Sequence, residues 1–298
     1  MSESTAPAEP APDPAAGPTQ TSERVAVAAP SPYTALRTAE APVLDGRLAS
    51  PCWRRAPRSP RFVDLVSGAS TALDTRAAIL WDDANLYVGA WLEQPSVTAT
   101  LTERDAEIWH DDDVELFIAG PDGAGGRAYY ELEVNAFGTI YEVLFAWGRE
   151  RSPFGVDAPP ELHADHELAR EFPGVGYAHP RGPRTGFWGW DLPGLRTAVH
   201  VDGAINDPSV VDRGWNVEIA VPWASLGVVM GGDGGPDARL APGHAPSPGD
   251  EWSIEVSRFN VARHGEGDSG GWSWSPHGVW DSHLPELFPR IRFSDDLV

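Results

Sequence analysis

The sequence predicts an all-β protein, an antiparallel β-sandwich with long surface loops. Short period-two apolar segments recur along most of the chain, Gly, Pro and Asp punctuate them, and no long amphipathic helix competes. Residues 1–32, rich in Ala, Pro, Ser, Thr and Glu, carry too little apolar surface to offset ordering entropy and read as a disordered tail. The ordered part is then a single sandwich over residues 33–298, a size that all-β folds reach as one unit.

The elements follow in order. Pro42-Val43-Leu44-Asp45-Gly46 reads as a strand end and turn, and Ser50-Pro51-Cys52-Trp53-Arg54 as a capped helical turn with Pro at its first position. Strands Thr75 to Trp81 and Leu86 to Glu93 flank the polar turn Asp82-Asp83-Ala84-Asn85. Val114 to Ile118 is a short apolar strand. Tyr130, Leu132 and Val134 alternate with Glu131, Glu133 and Asn135, as on a half-buried strand. Thr139 to Phe145, Thr197 to Val201, Trp215 to Val221, Trp252 to Val256 and Leu287 to Phe293 complete the set. Residues 146–196 lack periodicity and read as an irregular insertion, of the length that is usually functional or mobile. Residues 228–249 read as a second surface loop.

Composition excludes several classes. The formal net charge is -22, from 44 acidic against 22 basic residues, and every basic residue is arginine. Such a surface repels phosphate backbones and anionic bilayers, so neither nucleic acid nor membrane is an expected partner. No apolar stretch approaches the ~18 residues of a membrane helix. Cys52 is the single cysteine, which removes internal disulfides and cysteine-based zinc sites. Met1-Ser2-Glu3-Ser4-Thr5 lacks the start of a signal peptide, so the chain as written reads as cytoplasmic; a mis-called start codon or a non-standard export route would make it extracellular.

Thirteen tryptophans are the most informative residues. Indole faces pack against the C–H faces of sugars, and planar polar side chains at the rim meet the hydroxyls. Trp81, Trp91, Trp215 and Trp252 sit at alternating strand positions and read as core. Trp109, Trp188, Trp190, Trp272, Trp274 and Trp280 fall in loops or at strand ends, where two or three of them are expected to meet a ligand.

The segment Ile108-Trp109-His110-Asp111-Asp112-Asp113-Val114-Glu115-Leu116-Phe117-Ile118 resembles the family-9 carbohydrate-binding modules, in which a Trp precedes an acidic run and a Glu-bearing strand. Val43-Leu44-Asp45-Gly46 with Trp53, Leu80 to Val88, Gly214 to Trp223, and Trp274-Ser275-Pro276 through Pro285-Glu286-Leu287-Phe288 agree in order. The resemblance spans about residues 40–294. It implies a sandwich of jelly-roll type that binds oligosaccharide or polysaccharide without catalysis, in association with polysaccharide degradation and carbohydrate catabolism. By motif, Trp109 and Trp280 would stack on the sugar and Glu115 would accept its hydroxyls; Asn135 and Arg258 are added as further candidate polar contacts. Where the resemblance implies an arginine beside Val134-Asn135, this chain carries Glu133.

The resemblance also implies structural calcium, for which Asp45, Asp82, Asp83 and Asp111 to Asp113 are the acidic candidates. Asp111-Asp112-Asp113 reads first as a solvated turn, and otherwise as a calcium ligand set or an acceptor of sugar hydroxyls. No organic cofactor is expected: a related sandwich binds haem through Met and His, but the methionines here are Met1 and Met230. Two other classes stay open. One is a glycoside hydrolase acting through paired carboxylates, a signal that 44 acidic residues make uninformative. The other is a structural sandwich without a ligand. His163-Ala164-Asp165-His166 with His179 could supply a metal site, though exposed polar residues are the plainer reading.

Overall fold

The computed structural model describes residues 21–148, 150, 151, 153–155, 157–230 and 242–298. Among them the chain forms β1 (Tyr33–Arg37), a helical turn α1 (Pro51–Arg55), β2 (Val63–Asp64), β3 (Thr75–Trp81), β4 (Asn85–Glu93), β5 (Asp113–Gly120) and β6 (Ala128–Asn135). There follow β7 (Ile140–Ala146), β8 (Ala169–Phe172), β9 (Arg184–Phe187), β10 (Arg196–Asp202), β11 (Gly214–Pro222), β12 (Glu251–Phe259), β13 (Gly271–Ser273) and β14 (Arg290–Leu297). Hydrogen bonding runs along one path, β10-β11-β4-β3-β1-β14-β12-β5-β6-β7-β9-β8, with β13 and β2 branching from β12.

That path folds back on itself as a β-sandwich of jelly-roll type, and side-chain parity explains why. Ile79 and Trp81 of β3, Val88 and Ala90 of β4, and Val217 and Ile219 of β11 share one apolar core with Val114, Leu116 and Ile118 of β5, Leu132 and Val134 of β6, and Trp252, Ile254 and Val256 of β12. Successive strand residues point to opposite faces, so each of these strands offers every second residue to the space between the layers. Trp252, Trp223 and Phe293 meet edge to face there, with ring centroids 5.2–6.0 Å apart. The expected antiparallel pairing holds except at β1, which runs parallel to both β14 and β3. The long segment between β1 and β3, which includes α1, gives the chain the crossover that parallel pairing requires.

The local signals act as their residue types dictate. Asp82 Oδ1 accepts the Ala84 and Asn85 amides and closes the β3–β4 turn. Ser50 precedes α1 without capping it; its hydroxyl accepts the Val43 amide instead. Gly46 has φ +75°, and a Cβ there would lie 2.3 Å from the Val199 carbonyl carbon. The fully buried Glu218 carboxylate accepts the Asp45 and Gly46 amides at 2.8 and 2.7 Å, locking that turn onto β11.

Two segments differ from the sequence reading, and part of a third lies outside the described residues. The tail divides: residues 1–20 lie outside the described residues, whereas Thr21 exchanges backbone bonds with Gly176 and Ala178, and the Val25 amide donates to Gly278. The insertion at 146–196 is not wholly irregular, because β9 pairs with β7 and β8 with β9, extending the sheet. Of the second loop, residues 231–241 lie outside the described residues. The extension matters for the site: with the segments 101–112, 170–190 and 275–288, it roofs the outer face of β5, β6 and β7. That face carries Glu131 and Glu133, which the alternation had pointed toward solvent; they are 2% and 3% exposed.

Candidate functional site

The roof leaves a cleft of about 480 Å³. Its floor is the outer face of β5 and β6, where antiparallel register sets Glu115 opposite Glu133 and Phe117 opposite Glu131. Its walls are aromatic. Trp109 and Trp188 stand with Tyr141 on one side, and Trp280 with Phe259 on the other.

Each indole is held by identifiable neighbours. Trp109 sits on the 3-10 turn Ile108–His110, whose Ile108 is buried beneath it. The Asp111 carboxylate accepts the Thr100 and Leu101 amides and the Thr100 hydroxyl, which fixes the turn against the preceding segment. Trp109 therefore remains 40% exposed while its ring lies edge-on to Tyr141 at 5.1 Å. The Trp188 indole N–H donates to the Tyr141 hydroxyl at 2.6 Å, and the Arg170 guanidinium lies 4.2 Å over its ring. Trp280 packs edge to face on Phe259 at 5.0 Å, with Arg263 over it. Next to it, Asp281 Oδ2 accepts three consecutive amides, Val175, Gly176 and Tyr177, and ties two roof segments together.

The polar floor is strongly acidic. Glu115 Oε2 accepts the Ser257 and Ser282 hydroxyls at 2.9 and 3.0 Å. Burial pushes its carboxyl up to about 7, against those hydrogen bonds. Burial and the neighbouring Glu115 charge hold Glu131 well above the usual carboxylate range, and burial with Asp113 does the same to Glu133. His283 Nε2 lies 3.4 Å from Glu131, but burial, then the Arg184 charge, keep the imidazole well below its ordinary value and hence neutral. The floor consequently presents carboxyl oxygens that accept and, where burial keeps a carboxyl protonated, O–H groups that donate.

Trp109, Glu115 and Trp280, expected from the sequence, meet in this cleft. Asn135 and Arg258 do not line it, and the structure gives them scaffold work instead. The Asn135 amide donates to Leu101 O and Asp111 Oδ2, and its oxygen accepts the Phe137 and Thr139 amides, so the side chain is spent on the turn beneath Trp109. Arg258 shares strand parity with Ile254 and Val256 and lies between the layers. It donates to Thr75 Oγ1, Glu93 O and Gln94 Oε1 and is 0% exposed. Replacing Arg258 by alanine should therefore cost stability rather than binding. Breaking a buried charged network costs about 3–5 kcal/mol, so the thermal midpoint should fall by roughly 10 °C while the folded fraction keeps its sugar affinity. Loss of affinity without loss of stability would contradict this placement.

Of the six loop tryptophans, Trp190, Trp272 and Trp274 are buried, which leaves Trp109, Trp188 and Trp280 open to the cleft. Among the acidic residues considered for calcium, Asp82 and Asp111 cap amides, Asp112 accepts from Gln94 and Val261, Asp45 accepts the Arg47 amide, and Asp83 pairs with Arg37. Asp113, by contrast, groups with Glu115 and Glu133. The histidines of the insertion form no such group among the described residues: Asp165 pairs with Arg151 and His179 with Glu286. Sequence reasoning passed over Tyr141, Glu131, Asp281, Ser282 and His283 as site residues. Only Glu131 carried a signal, its parity with Glu133.

Residues 44–144 match the family described as carbohydrate family 9 binding domain-like. A crystal structure of a candidate carbohydrate-binding protein from Bacteroides uniformis aligns with a TM-score of 0.53 at 14% identity, covering 89% of this chain and 99% of that one. A family 9 carbohydrate-binding module from Caldicellulosiruptor kristjanssonii in complex with cellotriose aligns at 0.48 and 15% identity, covering 88% and 94%. The glucose complex aligns at 0.47 and 14%, covering 88% and 96%. At these identities the Bacteroides protein shares the fold. No curated protein matches the chain. Among the described residues, no helix is long and apolar enough to cross a membrane.

Proposed function

With residues 44–144 identified as a carbohydrate family 9 binding domain-like region, we propose that the chain binds carbohydrate in this cleft and does not itself cleave it. The observation that carries the reading is the cleft: three indoles left open around a floor of carboxyl groups, in a volume of about 480 Å³. Small-ligand sites occupy roughly 300–1,000 Å³ and combine apolar walls with a few placed polar groups. Trp109 and Trp280 would stack on sugar rings from opposite walls, with Trp188 as a third platform. Glu115 would accept hydroxyls, and Glu131 and Glu133 would be further carboxyl contacts that can donate as well as accept. The ligand class is an oligosaccharide or polysaccharide, and the role is attachment to a glycan undergoing degradation.

A hydrolase would need two carboxyl groups flanking the scissile bond, about 5–5.5 Å apart for retention or 6.5–9.5 Å for inversion. Asp113, Glu115 and Glu133 gather one oxygen each within 4.8 Å of one another, a grouping that suits one shared ligand, and turnover is the measurement that separates the two readings. A glycan array probed with the full chain, followed by calorimetric titration of the best ligand, tests the proposal. At least one oligosaccharide should bind, with no new reducing ends on prolonged incubation. A folded protein that binds no glycan would refute the reading, and turnover would refute its non-catalytic part.

A further inference from the structure

The floor of the cleft holds more negative charge than its surroundings answer. Glu115 faces Glu133 directly across the β5–β6 ladder, and Asp113 lies two residues along the same face. Like charges opposed across a ladder are unfavourable even in water, and here the three side chains are 6%, 3% and 0% exposed. One oxygen from each lies within 4.8 Å of the other two. Their hydrogen bonds leave capacity unused. Asp113 Oδ1 accepts the Phe259 amide and Glu115 Oε2 the two serine hydroxyls, while Asp113 Oδ2 and Glu133 Oε2 are buried with no partner. Among the described residues no arginine or histidine forms an ion pair with any of the three: Arg258, whose charge reaches Asp113, donates to Thr75, Glu93 and Gln94 between the layers, His277, whose charge reaches Glu115, lies against Glu255, and His283 lies against Glu131.

Buried carboxylates persist when paired with a cation or protonated. The donor set is oxygen only, which suits a hard divalent ion, and the span matches one coordination sphere: oxygens about 2.3–2.6 Å from calcium lie no more than about 5 Å apart. We propose that Asp113, Glu115 and Glu133 hold a divalent cation of the calcium class in the cleft floor. Glu115 and Glu133 line the cleft whereas Asp113 lies beneath, so the open coordination positions face the cleft. If the cleft takes carbohydrate as proposed above, sugar hydroxyls can complete the ion's shell in place of water; the ion site itself does not depend on that reading.

The test is calorimetric titration of calcium chloride into the chelator-treated full chain at pH 7.5, without sugar. One ion per chain should bind, and Glu133→Gln and Asp113→Asn should each weaken it by at least tenfold while circular dichroism shows the fold retained. Absence of calcium binding by the folded wild type up to 10 mM, about ten times the weakest dissociation constants of protein calcium sites, overturns the proposal, as does wild-type affinity in both variants. Glucosamine binding without calcium binding would place an ammonium group there and also overturn it. Titrating the array-selected oligosaccharide with and without calcium keeps the two readings apart. Sugar affinity without ion binding sinks this inference alone, and ion binding without any glycan sinks the carbohydrate proposal alone.

Discussion

Trp109→Ala and Trp280→Ala are each expected to weaken binding of the cognate oligosaccharide by roughly five- to 150-fold. The estimate takes aromatic stacking at about 1–3 kcal/mol per platform, by analogy with bases stacked on aromatic side chains, and a factor of ten per 1.4 kcal/mol. The two indoles should not behave alike in the free protein. Trp109 is 40% exposed and contacts Tyr141 by one edge, so its removal should leave stability almost unchanged. Trp280 is half-buried against Phe259 and beside Asp281, the carboxylate that ties two roof segments, so its removal should also lower the melting temperature slightly. Glu115→Gln keeps the shape and one acceptor oxygen and should lose less affinity than either. Calorimetry on the three variants decides: unchanged affinity in both tryptophan variants, with folding intact, would move the site away from this cleft.

What the sequence disclosed depended on how local the controlling contacts are. The strand set was legible because one-sided burial imprints period two on β3, β4, β5, β6, β11 and β12. Trp109 and Glu115 were legible because the acidic run fixes a turn and a strand start next to each other. Arg258 was misplaced although parity was available: it is two residues from Val256 and four from Ile254, and so faces the core with them. Asn135 has the parity of the cleft face, yet its four hydrogen bonds are spent on a turn the sequence does not reveal. Strands β8 and β9 are four residues each, one interrupted by Gly186, too short to carry a period. Glu131 and Glu133 looked solvated because the segments that cover them come from about 20 to 150 residues away in sequence, and alternation reports only that two faces differ. The same non-locality hid the parallel pairing of β1.

Those buried carboxyls should make the ion-free protein more stable at pH 5 than at pH 8. Burial raises Glu115 to about 7 and Glu142 to about 6, and holds Asp113, Glu131 and Glu133 well above the usual range. A carboxyl whose folded value exceeds its unfolded value binds its proton more tightly in the native state. Its contribution is therefore fully present below about pH 4.5, the unfolded value, and is lost as pH rises through the folded value near 7. Asp64, Asp111, Asp268 and Glu286 shift downward; backbone amides hold the first three and His179 the fourth, against burial in each case. Their contribution runs the other way, present above about pH 4 and lost in stronger acid, which places the optimum near pH 5. Glu133→Gln removes one buried charge that costs several kcal/mol to desolvate. At about 2–4 °C per kcal/mol, the chelated variant should melt roughly 5–10 °C higher than wild type at pH 8 and show a smaller gap between the two pH values. Differential scanning calorimetry at pH 5 and 8 in chelator measures both quantities. A wild-type melting temperature that rises from pH 5 to pH 8, or a variant that melts lower at pH 8, would mean that the floor carboxylates are compensated by a contact other than protons.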